Sequence, residues 1–213
     1  MKRLICMVFI FTMIVCVGCA TVKPGPTATT KKPAAVGTAS ESTETKLPKS
    51  YAPTTQSNTK ARHVATVFGQ VTSLKTARSF NSVILKDIYA KSNFAGAVLS
   101  RCDFDVIKAL VAAGWTPAVF LRSPVGTEHM RTVIGYNDPP EEWTLADPID
   151  MGELKQLKIG YADFSKMWDD PQKTCLLVFP QYVADQLIKS TLLKYLPKEK
   201  VDSVVIRSKA DSK

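Results

Sequence analysis

An α+β domain with an antiparallel sheet is the fold class the sequence predicts, on three observations. Helix-period apolar patterns come first, between His63 and Gly114. Strand-length apolar runs divided by short turns follow, between Trp115 and Phe179. Helical patterns that precede a meander of strands, rather than alternating with them, argue for an antiparallel sheet. The chain therefore divides into residues 1–18, a signal peptide; 19–62, a linker; 63–180, the folded domain; and 181–213, an amphipathic helix with a frayed tail.

Each element has its own reason. Val64, Val67, Phe68, Val71 and Leu74 give His63 to Phe80 a helical apolar spacing. Val83, Ile84 and Ile88, with Leu85, make one face of a second helix over Ser82 to Lys91, and Asn93 to Gly96 reads as a turn. Cys102-Asp103 caps a third helix with Val106, Ile107, Leu110 and Val111 inward, which Gly114 ends. Trp115 to Leu121, entered through Pro117, is a strand, and Ser123 to Glu128 is a polar loop. Met130 to Tyr136 and Glu142 to Ala146 are a hairpin joined by Asn137-Asp138-Pro139-Pro140-Glu141, and Asp147-Pro148 breaks it. A short strand at Leu157–Ile159, a helix over Tyr161 to Trp168 and a strand over Thr174 to Phe179 complete the domain. Val183, Leu187, Thr191, Leu192 and Tyr195 form a last apolar stripe, which packs back on the domain or meets a partner; from Pro197 the chain is expected to fray.

The N-terminus carries the clearest signal. Met1-Lys2-Arg3 is basic, and Leu4 to Val17 is apolar apart from Thr12. That run is shorter than the twenty or so residues a spanning helix needs, and it has the layout of a secretory signal peptide. Its end, Val15-Cys16-Val17-Gly18-Cys19-Ala20, resembles the lipobox of bacterial lipoproteins, although Cys16 stands where that family usually has Leu. The resemblance implies cleavage before Cys19, a lipid on Cys19, and a chain anchored to the bilayer through it. Ala20, rather than Asp, implies an outer-membrane lipoprotein facing the periplasm in a cell that has one. Residues 20–62, rich in Thr, Pro, Ser, Ala and Lys, lack the apolar content to form a core and read as a disordered tether.

Composition excludes several functions. The net charge of +9 sits outside the domain: residues 63–180 hold twelve basic and thirteen acidic side chains. The basic arms suit an anionic lipid surface, and no nucleic-acid partner is expected. His63 and His129 are the only histidines and no Cys-x-x-Cys pair exists, so no metal or other cofactor is expected. Once the signal is removed and Cys19 is lipidated, Cys102 and Cys175 remain. They are either one disulfide or two buried small hydrophobes.

Residues 103–179 carry an ordered series of landmarks: Ala113-Gly114 closing a helix, Trp115-Thr116-Pro117-Ala118-Val119, His129, Gly135-Tyr136, Asp147-Pro148, and Tyr161-x-x-Phe164 with Trp168. The series resembles the papain-like cysteine peptidases of the bacteriocin-processing (double-glycine leader) type. It implies a domain that is half helical and half antiparallel sheet. It also implies His129 as the base and Asp147 as the group that orients it, brought together across the hairpin. Gly135-Tyr136 would keep the strand close-packed.

The family's nucleophile, a Cys-Gly-Pro at the start of a long first helix a few residues after an oxyanion-hole Gln, has no counterpart here. Gln70 is the candidate oxyanion residue, and Ser73 or Thr76 a substitute nucleophile. Cys102 is an alternative nucleophile, since a helix N-terminus favours thiolate. The expectation is a membrane-anchored, peptidase-like domain without hydrolytic activity that binds a peptide or partner protein of the cell envelope. The alternatives are an active cysteine peptidase using Cys102 with His129 and Asp147, and a structural envelope lipoprotein.

Overall fold

The computed structural model describes residues 45–122, 128–148 and 154–209. In chain order these form β1 (Ser50–Tyr51), α1 (Thr55–Gln70), a 3-10 turn (Thr72–Lys75), α2 (Ser82–Lys91), β2 (Ala95–Ser100), α3 (Phe104–Ala112) and β3 (Ala118–Arg122). There follow β4 (Glu128–Asn137), β5 (Glu142–Ala146), β6 (Gln156–Gly160), α4 (Tyr161–Met167), β7 (Cys175–Phe179), α5 (Asp185–Leu192), α6 (Lys198–Ser203) and β8 (Val205–Arg207). The mixture of helices with one wholly antiparallel sheet is the α+β class that the pattern predicts. The signal peptide and Cys19 lie outside the described residues, as does most of the linker. No described helix is long and apolar enough to cross a membrane.

The strands lie in the order β6-β5-β4-β3-β7-β2-β8, and β1 pairs with β4 beyond the point where β3 ends. Helices cover both faces. On one face Val98, Phe120, Met130, Leu176 and Val178 pack against Val64 and Val67 of α1 and Ile84, Leu85 and Ile88 of α2. On the other, Leu99, Leu121, Val133, Leu145 and Leu177 pack against Ile107 and Leu110 of α3, Phe164 of α4, and Ile188 and Leu192 of α5. The helices thus sandwich the sheet instead of forming a separate half.

Local chemistry accounts for the element ends. Asp103, not Cys102, caps α3: its carboxylate accepts the Val106 N–H at 3.0 Å. Gly114, with φ +75°, closes that helix, and the bonds Trp115 N–H to Leu110 O and Gly114 N–H to Val111 O form a Schellman motif. Asn81 caps α2, whose bounds match the sequence reading, although Val83 points outward and is 63% exposed.

Three boundaries differ from expectation. The folded region begins before residue 63, because α1 starts at Thr55. Thr54 accepts the Ser57 N–H at 3.0 Å, and Ser57 Oγ accepts the Thr54 N–H at 2.8 Å, a capping box inside the Thr/Ser-rich stretch. Residues 95–100 form a central strand rather than leaving a turn at Gly96; α2 lies against it, Leu85 Cδ2 coming within 3.0 Å of where a Gly96 Cβ would be. The tail does not fray at Pro197. β8 pairs with β2, Asp185 accepts the Ser208 N–H at 2.8 Å, and Tyr89 donates to Ser208 O at 2.6 Å. α5 itself packs back on the domain, burying Ile188 and Leu192.

The turn end of the β4–β5 hairpin is organised around Asp138. Its carboxylate pairs with Lys108 of α3 at 2.5 Å and accepts the Tyr161 hydroxyl at 2.9 Å, while its N–H donates to Lys49 O at 2.8 Å. The Lys108 ammonium lies 4.6 Å from the centre of the Tyr161 ring. Tyr136 donates to Pro48 O at 2.8 Å. Asp138 and Tyr136 together therefore join the N-terminal segment, α3, β4 and α4.

Two outcomes follow from this packing. A Cβ on Gly135 would sit 2.6 Å from Tyr51 O and 3.0 Å from Pro53 Cδ. Gly135→Ala therefore has to displace β1 and should cost about 2–3 kcal/mol in urea unfolding; an unchanged midpoint would show that β1 is not seated on β4. The second concerns Tyr136 and Tyr161, whose hydroxyls are held protonated well above the ordinary tyrosine value of 10.0, by burial first and by Asp138 next. Above that value the unfolded chain loses protons that the folded chain keeps. The stabilisation is complete below pH 10.0 and declines as pH rises further. Denaturation midpoints followed from about pH 8 to about pH 11.5 should fall at the alkaline end, and the fall should flatten in Tyr136→Phe/Tyr161→Phe.

Candidate functional site

β4 carries the residues singled out for chemistry, and its register decides where they point. Met130 lies opposite Phe120 and packs on the α1 face. Alternation then places His129, opposite Leu121, on the other face, and Arg131, opposite Val119, with it. Across the hairpin Ala146 pairs with Thr132, so the next residue, Asp147, falls opposite Arg131 on that same face. His129 and Asp147 thus share a face, one diagonal step apart. Between them stands Arg131, whose guanidinium meets the Asp147 carboxylate at 3.1 Å, both groups being half-buried. Sequence reasoning missed Arg131; the available signal was its position two residues from His129 and across the hairpin from an acid.

Of the expected nucleophile and oxyanion positions, Thr76 borders the same groove as His129, whereas Gln70, Ser73 and Cys102 do not line it. Gln70 is the exposed last residue of α1, without an oxyanion-hole setting. Ser73 and Thr76 lie in and just after the 3-10 turn that follows. The start of α1, where the papain-like pattern would carry its thiol, holds Thr54 and Ser57, whose hydroxyls are committed to the capping box. That start lies against Gly135, which abuts Tyr51 and Pro53. Six residues of extended strand separate Gly135 from His129, about 20 Å. The helix start and the imidazole occupy opposite ends of β4.

Cys102 does not fill the gap. It is 2% exposed, with its sulfur 3.7 Å from that of Cys175, which is fully buried. Both thiols are free. The expected lowering of its pKa is reversed: the hydrogen bond with Cys175 and burial push the Cys102 thiol well above its ordinary value. The remaining histidine, His63, is half-buried on α1 beside Phe94, with ring centres 5.1 Å apart. Among the described residues no group of three or more His, Cys, Asp or Glu side chains is placed to hold a metal ion.

A groove of about 570 Å³ opens where β3 and β4 meet the 3-10 turn. Phe68, Leu74, Phe120 and Met130 give it an apolar floor, Lys75 and Arg78 a basic rim, and His129 borders it. Glu128 at its edge accepts from Arg122 at 2.9 Å, and Arg122 reaches Asp169 at 3.1 Å. These exposed pairs contribute little stability but fix the rim's outline. An apolar floor with a charged rim suits a peptide segment that buries side chains while its polar groups stay near water.

Comparison of the chain with protein-family models, with curated proteins and with solved structures returned no match.

Proposed function

We propose that this protein is a lipoprotein of the bacterial cell envelope, anchored through an acylated Cys19, whose α+β domain binds a peptide or partner protein without cleaving it. In a cell with two membranes it sits on the outer one and faces the periplasm. One observation carries the non-hydrolytic part. The groove's described lining includes no cysteine, while the described thiols are buried against each other elsewhere. An imidazole and a carboxylate without a thiolate can orient a ligand but cannot form the acyl intermediate of a cysteine peptidase. The groove beside the 3-10 turn is the binding surface that this reading uses.

The anchoring and the binding are separable. Metabolic labelling with a palmitate analogue should mark the full chain, and Cys19→Ser should abolish both the label and sedimentation with membranes. The purified chain should show no labelling of Cys102 by a thiol-reactive probe under native conditions. Labelling at Cys102 that His129→Ala abolishes would establish a peptidase and sink the binding-only reading. Peptides selected by display on the folded chain should lose about tenfold or more in affinity against Lys75→Glu/Arg78→Glu, about 1.4 kcal/mol. Failure to select any peptide would leave a structural lipoprotein as the answer.

A further inference from the structure

We propose that Cys102 and Cys175 become a disulfide when the exported chain folds in an oxidising compartment, a modification that staples the β2–α3 corner to β7. The inference rests on the export reading above, since two cytosolic thiols would stay reduced.

The surrounding chain holds the two sulfurs together. Cys175 lies opposite Leu99 in the β2–β7 ladder. Just beyond, the Arg101 N–H donates to Gln172 O at 2.7 Å and the Cys102 N–H to Lys173 O at 3.0 Å. Asp170 fixes that second loop by accepting the Gln172 N–H at 2.9 Å and the Thr174 N–H at 2.8 Å. With both backbones fixed, the sulfurs stand 3.7 Å apart. A disulfide bond is about 2.05 Å long, so closure needs a shift of under about 2 Å, within the reach of side-chain rotation. A groove of about 390 Å³ bordered by Cys102, Phe104, Trp168 and Lys173 leads toward the pair from solvent.

The chemistry balances with a disulfide oxidant, such as a thiol–disulfide oxidoreductase or glutathione disulfide. One cysteine thiolate attacks a sulfur of the oxidant and releases a thiol. The second cysteine then attacks the mixed disulfide and releases the other. Two thiol protons and two electrons leave the chain, and the oxidant ends as two thiols. The bridge closes a span of 73 residues, which restricts the unfolded chain far more than the folded one.

The test compares two samples of the full chain, alkylated with N-ethylmaleimide in denaturant and digested with trypsin. One is taken from the envelope fraction of producing cells. The other is purified, reduced, and refolded with excess glutathione disulfide. Both should yield peptides 102–108 and 174–189 linked to each other and separable by reduction. The oxidised chain should melt about 5–10 °C above the reduced one. Alkylated, unlinked peptides in both samples would overturn the pairing itself. Linkage only in the refolded sample would overturn the export reading, and the proposal with it.

Discussion

Burial of β2, β3 and β7 on both faces is the constraint on which the rest of the structure depends. Their side chains enter two separate cores, Leu176 and Val178 on one side, Cys175 and Leu177 on the other. Each such aliphatic side chain is worth about 1.5–3 kcal/mol of burial, so the central strands tolerate no charge. Polar side chains then find room chiefly at strand ends and on outer strands. His129 near the start of β4, Asp147 just past β5 and Asp138 in the hairpin turn all obey that rule.

The two ends of the hairpin use this freedom differently. At the turn end, Asp138 has its carboxylate occupied by Lys108 and Tyr161, and the cluster ties four segments together. Removing either charge would strand the other in a partly buried site, the costly way to break such a pair. At the opposite end, charges sit along a groove, and the Arg122 pairs there are exposed. A structural cluster and a solvent-facing groove therefore share one hairpin. The groove end is where a ligand can compete with water for the side chains.

Much of this was legible because local rules coincide with the tertiary outcome. The β5 bounds, the α2 bounds and the Gly114 closure follow from turn residues, apolar spacing and left-handed backbone geometry. The face shared by His129 and Asp147 follows from period-two alternation. What escaped was set non-locally. β2 is built of small residues buried on both sides, so it shows neither alternation nor a bulky run. The start of α1 hides in a linker-like composition, because its signal is a reciprocal Thr54–Ser57 cap followed by only modest apolar content. The tail is held by Asp185 and Tyr89, contacts between residues far apart in sequence. Proximity of Cys102 to Cys175 depends on β7 inserting between β2 and β3, an order that no residue pattern announces.

The thiol question shows why position outweighs residue type. Placing Cys102 near a helix N-terminus invites a lowered pKa, an effect worth about 0.3–1 kcal/mol at a surface site. Burial beside a second thiol works in the other direction and can raise a pKa by several units, each about 1.4 kcal/mol. The larger effect wins, and Cys102 holds its proton. A thiol in that state is a poor nucleophile wherever the imidazole lies. The same close pairing that disables it for catalysis brings its sulfur to within 3.7 Å of a partner. Low reactivity in the folded chain and proximity for cross-linking as the chain folds thus have one cause, the joining of the β2–α3 corner to the first residue of β7.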